Sequence, residues 1–415
     1  MTITRRIFLR NSAFAAVGTA VLPSFLTRAA FGAADPGSQP KRLVVIFQRG
    51  AADGLNIVVP HGEATYYSMR PTISIPKKSL IDLDGFFGLH PAMSAFQPLW
   101  QQKHLAIVHA AGSPDPTRSH FDAQDYMESG TPGMKATEDG WLNRALHEMP
   151  ADSAKDKSVF RAIALGPSLP RILAGAEPAV AINNVDQFAV GGRNPKASPA
   201  ANTFEAMYSN SVDTVMHGTG QETFAAVKAL KAADPAKYTP AAGANYPRGR
   251  FGDSLRQLAQ LIKANLGVQV AFADMGGWDH HVNEGSTQGL IANILGEFSG
   301  SLAALWTDLG DLAEDTVIVT MSEFGRTARE NGNRGTDHGH ANVMFVFGGP
   351  VKGGKVYGRW PGLDPSQLYE GRDLAVTTDF RTVVGEVVST YLGNKDLKTV
   401  FPGFEDVASL PNFLG

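Results

Sequence analysis

Short runs of consecutive apolar residues alternate along this chain with segments whose apolar positions recur every three or four residues. Arg42-Leu43-Val44-Val45-Ile46-Phe47 is almost continuously apolar, as a strand buried on both faces requires. Residues 104–112 (HLAIVHAAG), 268–273, 317–321 and 342–349 read the same way, with shorter strand candidates at 162–165 and 179–182. Residues 254–266 (SLRQLAQLIKANL) and 290–312 have helical spacing, and Gly267 ends the first of these. Helical spacing also runs from Ser119 through Met127, starts again at Gly140-Trp141, and closes the chain over 379–392. This alternation predicts an α/β protein: a three-layer αβα sandwich with a mainly parallel central sheet.

At 415 residues the chain is long enough to bury a large core. Residues 35–415 read as a single domain, in which 186–250, rich in Ala, Gly, Asn and Pro, form loops and surface helices covering one side of the site. No internal repeat or low-complexity tract interrupts it.

Residues 1–34 read as something other than fold. Thr4-Arg5-Arg6-Ile7-Phe8-Leu9-Arg10 is a twin-arginine pattern, and an apolar stretch from Ala13 to Leu26 follows it. That stretch falls short of the roughly 20 apolar residues of a membrane span, and Pro23 interrupts it. Gly32-Ala33-Ala34 offers a cleavage site. The expectation is a cleaved signal, passage through the twin-arginine translocase, no stable membrane anchor, and a periplasmic or extracellular destination. Loss of this segment removes four arginines and no acid, taking the formal net charge from −3 to −7. An acidic chain of this kind carries no basic footprint for nucleic acid. Nor does it contain any cysteine, so a metal must be held by His, Asp, Glu, Ser or Thr.

The candidate chemistry gathers where strand-like runs end or begin. Residues 274–281 read Asp-Met-Gly-Gly-Trp-Asp-His-His, residues 322–326 read Ser-Glu-Phe-Gly-Arg, and residues 335–340 read Gly-Thr-Asp-His-Gly-His. Four of the eleven histidines lie in these patches, as they would if loops at the end of a sheet presented ligands to a cation. The metal candidates are Asp279, His280, His281, Glu323, Asp337, His338 and His340. Asp53, after the first strand, is placed for a ligand or is the turn aspartate before Gly54. Ser119 is either the N-cap of a helix or a nucleophile exposed at its start, flanked by Arg118 and His120. His90, before Pro91, reads as structural, as do His61, His104, His109, His147 and His217.

The blocks at 48–60, 118–122, 276–281, 322–327 and 336–342 resemble those of the alkaline phosphatase/sulfatase superfamily. More closely they resemble one mostly exported branch of it that is labelled only as a domain of unknown function. The resemblance covers roughly residues 40–395. It implies an alkaline phosphatase-like fold and one or two divalent ions, Zn²⁺, Mn²⁺, Mg²⁺ or Ca²⁺. It assigns Asp279 and either His280 or His281 to a first metal and Asp53 to a second. Ser119 would be the nucleophile, with Thr117 in reserve, and His338 or His340 the late ligand. Glu323 stands where the superfamily usually has Asp. Phe324 stands where it usually has a His ligand, which leaves Asp337 to fill that place. Two ions about 4 Å apart would clamp an in-line displacement, with Arg118, Arg49 or Arg326 neutralising the equatorial oxygens. The function this implies is hydrolysis of a phosphate or sulfate ester on a small molecule or glycan. The rival reading, motivated by Phe324, is a non-catalytic binding or scaffold protein that keeps the fold and a structural metal.

Overall fold

The computed structural model describes residues 40–135, 137–147, 158–185, 238–405 and 411–414. The twin-arginine segment, His217 and most of the 186–250 region lie outside the described residues.

The central sheet is built from β1 (Arg42–Gln48), β2 (Leu105–Gly112), β3 (Ala162–Leu165), β4 (Val180–Ile182), β5 (Val270–Met275), β6 (Thr316–Ser322), β7 (Asn342–Gly348) and β8 (Lys355–Tyr357). Their spatial order is β8-β2-β7-β6-β1-β5-β3-β4. A ninth, two-residue strand, Thr378–Asp379, adds to β2. β1 lies at the centre, parallel to β5 on one side and β6 on the other. Within this order only β7 runs against its neighbours, antiparallel to both β2 and β6. That reversal puts the amino end of β7 at the edge where β1, β2, β5 and β6 have their carboxyl ends.

Successive side chains of β1 point to opposite faces, as strand geometry requires. Val44 and Ile46 enter a core formed with Leu255 and Leu258 of the helix Arg250–Lys263 and Leu295 and Phe298 of the helix Leu290–Leu309. Leu43, Val45 and Phe47 enter a second core with Leu142 of the helix Trp141–His147 and Val383 and Val384 of the helix Phe380–Glu386. The result is a three-layer αβα sandwich with a mainly parallel sheet, the fold class read from the sequence.

Element boundaries shift for local reasons. The first long helix begins at Arg250, four residues before the sequence pattern suggested, and stops at Lys263 because Asn265 adopts a left-handed φ of 53°. The closing helix is regular only to Glu386; it then widens into a π turn over Val387–Tyr391.

Candidate metal centre

Five loops meet at the carboxyl edge of the sheet. Glu323 directly follows β6, and its side chain is fully buried. The loop after β1 brings Gly50, whose N–H donates to Glu323 Oε1 at 2.8 Å. Gly50 has φ 117°, and a Cβ there would lie 2.9 Å from the Asp279 backbone nitrogen. Only glycine lets the loops after β1 and β5 approach this closely. The segment after β2 leads into α1 (His120–Ser129), which starts with a site histidine. The loop before β7 is tied to the loop after β6 by Gly325 N–H to the His340 carbonyl and Gly339 N–H to the Gly325 carbonyl, both 2.8 Å.

These loops bring His120, Asp279 and His338 together, with one ligand atom of each within 4.8 Å of the others. His120 Nε2 lies 3.0 Å from His338 Nε2. His281 Nε2 lies 3.0 Å from His338 Nε2 and 2.9 Å from Asp279 Oδ1. Asp279 Oδ1 lies 3.3 Å from His338 Nε2, and Asp279 Oδ2 lies 3.5 Å from His120 Nε2. These parts of one site come from positions far apart in the chain: His120 and His338 are separated by 218 residues.

The other nitrogen of each ring fixes its tautomer. His120 Nδ1 faces Glu323 Oε1 at 2.8 Å, His338 Nδ1 faces the Arg118 carbonyl at 3.0 Å, and His281 Nδ1 faces Asp337 Oδ1 at 3.2 Å. Ionised carboxylates and carbonyls only accept, so each Nδ1 carries a proton and each Nε2 is the atom left to face the cluster. Nε2 atoms that face one another across 3.0 Å are held together either by a shared proton or by a cation that takes a lone pair from each. Tetrahedral coordination at 2.0–2.1 Å implies ligand separations of about 3.3 Å, close to the distances here. The residues therefore fit a cation, and the donor set is rich in nitrogen.

The surrounding charges support this arrangement. Burial pushes Glu323 up, but hydrogen bonds from His120, Gln124 and Gly50 outweigh it and hold the carboxyl below its ordinary value. The same bond from Glu323, against burial, raises His120. Burial also pushes Asp279 up; the Arg326 guanidinium, 2.6 Å from Oδ1, more than offsets this and keeps the carboxylate ionised. Burial lowers His338, and the neighbouring His120 adds to the effect. Phe324 forms the apolar wall, its ring centroid 4.9 Å from that of His120 and 5.1 Å from that of His338.

Other residues singled out in the sequence lie at this edge without joining the cluster. Asp53 is buried, and both of its oxygens are bound by the guanidinium of Arg70. His280 is buried, unlike His281, and its carbonyl accepts from Thr336 N–H. His340 Nε2 faces the Ser113 carbonyl at 3.1 Å. Asp337 reaches the centre only through His281. Ser119 caps α1, its Oγ accepting from Asp122 N–H at 3.4 Å, while Thr117 Oγ1 accepts from Ser119 N–H at 3.2 Å. The Arg118 guanidinium is bound to Asp373 and Glu370, so this residue meets the cluster through its carbonyl.

Sequence reading missed five supporting residues. Gln124 donates to Glu323 at 2.8 Å and accepts from Arg49 at 2.9 Å. Fully buried Asp373 holds Arg118 and Arg372, and Arg372 in turn donates to the His338 carbonyl. Arg70 and Glu284 sit beside Asp53; Glu284 is held well above its ordinary value by burial and by the Asp53 charge. The helical position of Gln124, one turn after His120, was the one signal available for any of these.

Residues 40–390 match the family described as Protein of unknown function (DUF1501). No curated protein is significantly similar to the chain. Among solved structures, a sulfatase from Pseudoalteromonas sp. is 13% identical, with a TM-score of 0.41, over 94% of this chain and 76% of that one. The C-terminal periplasmic domain of EcEptC from Escherichia coli, in complex with Zn, is 8% identical, with a TM-score of 0.34, over 76% of this chain and 75% of that one. A phosphonate monoester hydrolase of Agrobacterium radiobacter is 10% identical, with a TM-score of 0.34, over 89% of this chain and 78% of that one.

Proposed function

The chain belongs to the DUF1501 family, and we propose that it is an exported, metal-dependent hydrolase of phosphate or sulfate esters. The observation that carries this reading is the convergence of the His120 and His338 Nε2 atoms on the Asp279 carboxylate, with His281 Nε2 beside His338 and Asp279. These residues would hold the ion, and nitrogen-rich donors favour Zn²⁺ over Mg²⁺ or Ca²⁺. When bound, the ion would supply Lewis-acid chemistry, drawing charge from the ester and favouring an oxygen nucleophile at neutral pH.

The chain's own residues supply the rest. Ser119 is the candidate nucleophile, because its hydroxyl stands one residue before His120 at the start of the ten-residue helix α1. Free N–H groups and the helix dipole favour developing negative charge there. Glu323 orients His120 and Arg326 keeps Asp279 ionised, so neither ligand needs rearrangement to bind. The twin-arginine segment supports export, and among the described residues no helix is long and apolar enough to cross a membrane.

The test is a panel of aryl phosphate, phosphodiester and sulfate esters, assayed with the purified chain supplied with Zn²⁺, Mn²⁺, Mg²⁺ or Ca²⁺. Turnover on one ester class is expected, with Ser119→Ala lowering it by roughly 10⁴-fold at unchanged metal content. Loss in Thr117→Ala instead moves the nucleophile by two residues. Full metal occupancy with no turnover on any ester replaces the hydrolase with a metal-binding scaffold.

A further inference from the structure

We propose that the centre takes one divalent ion per chain, because Arg70 closes the second position that the superfamily resemblance assigns to Asp53. The proposal rests on the reading that His120, Asp279 and His338 hold an ion. Arg70 is completely buried and Asp53 is 2% exposed. Arg70 Nη2 donates to Asp53 Oδ1 at 3.0 Å, and Nη1 pairs with Oδ2. Both carboxylate oxygens therefore face one planar guanidinium in the bidentate geometry that suits the two groups.

The remaining bonds fix the guanidinium in place. Arg70 Nε donates to the Ala328 carbonyl at 2.9 Å and Nη2 to the Thr327 carbonyl at 2.8 Å. Both carbonyls belong to the segment just after Arg326, so the guanidinium is held by the loop that builds the centre. Glu284, also fully buried, accepts from Thr336 Oγ1 at 3.0 Å, and that hydroxyl also accepts from Arg326 Nε at 3.1 Å. A cation bound by Asp53 would have to displace a buried guanidinium whose bonds are made, or sit against its positive charge. His280 lies near enough to feel the Asp53 charge, but among the described residues the one group of three or more histidines and acids arranged to hold an ion is that of His120, Asp279 and His338. The two positions thus differ in how far an arginine occupies the carboxylate: Arg326 binds one oxygen of Asp279 and leaves Oδ2 facing His120, whereas Arg70 binds both oxygens of Asp53.

Metal content decides the matter without any assay of activity. The purified chain is saturated with Zn²⁺ or Mn²⁺, desalted, and measured by elemental analysis. One ion per chain is expected, unchanged in Asp53→Asn and lost in His338→Ala. Two ions per chain, or loss of the single ion in a folded Asp53→Asn chain, overturns the proposal. Should Asp53→Asn fail to fold, an anomalous-scattering map of the Zn²⁺-loaded wild-type protein gives the same answer: one peak among His120, Asp279 and His338 is expected, and a peak at Asp53 refutes it. An ion-free wild type removes the metal reading and this proposal together, whereas two ions remove this proposal alone.

Discussion

Glu323→Gln isolates the contribution of one buried carboxylate to the affinity of the centre. Glu323 Oε1 accepts from His120 Nδ1, Gln124 Nε2 and Gly50 N, each at 2.8 Å. Its Oε2 lies 3.1 Å from Ser322 Oγ. A glutamine keeps the shape: its carbonyl can take the place of Oε1 and its NH₂ can donate to Ser322 Oγ. The charge is lost. A charge-assisted hydrogen bond contributes roughly 1.5–3 kcal/mol and a neutral one roughly 0.5–1.5. The His120 bond alone should therefore weaken by about 1–1.5 kcal/mol. That corresponds to roughly a tenfold rise in Kd for Zn²⁺, the lower end of the 10–100-fold seen when such outer partners are removed. Glu323→Ala should cost more, about 100-fold, because His120 loses its orienting acceptor altogether. It should also reduce stability by about 1–3 kcal/mol for each buried donor left unsatisfied. Competition titration against a chromophoric chelator at pH 7.5 measures the affinities, with circular dichroism to confirm the fold. A folded Glu323→Ala chain that binds Zn²⁺ within twofold of wild type would show that His120 does not ligate the ion through Nε2.

Three further outcomes are expected. Burial lowers His109 to about 4, against a hydrogen bond from its ring to the Val58 carbonyl that favours the charged form. Protons therefore bind the unfolded chain first: stability is fully present above the ordinary value of about 6.5 and is lost as pH falls toward 4, by about 3 kcal/mol. Urea midpoints at pH 7 and 4.5 check this, and an equal loss in His109→Gln would refute it. Asp373→Asn should weaken Zn²⁺ binding about tenfold although Asp373 does not touch the ion, because it holds Arg372, which donates to the His338 carbonyl, and Arg118, whose carbonyl accepts from the His338 ring; unchanged Kd in the same titration would make that network incidental. Replacing Arg5 and Arg6 with lysines should leave the chain unexported, and mature protein at normal levels in the periplasmic fraction would rule out the twin-arginine route.

Strand identity was legible because a strand buried on both faces can tolerate few polar residues. The run predicted over 42–47 falls one residue short of β1, and Ala162–Leu165 matches β3 at both ends. The site was legible only as patches. Histidines beside acids in glycine-rich loops marked the edge, but the choice between His280 and His281, or between His338 and His340, depends on how each loop turns. His280 turns into the core while His281 stays half-buried beside Asp279. Arg70 left no trace, since it follows a short helix 17 positions after Asp53 and meets it only through the tertiary fold. Glu284 likewise sits in an unremarkable loop, and its proximity to Asp53 is set by packing rather than by any local pattern.

The long separations within the centre determine when a cation can first be captured. Glu323 lies 203 residues beyond His120, and His338 lies 218 beyond it. No fragment that stops short of His338, four residues before β7, contains the full set of ligands, so a cation cannot be held by all of them until the loop before β7 is in place. Twin-arginine translocation moves chains that are already folded. On that route the ligand set would already be assembled in the cytoplasm, so the first metal pool offered to it would be the cytoplasmic one.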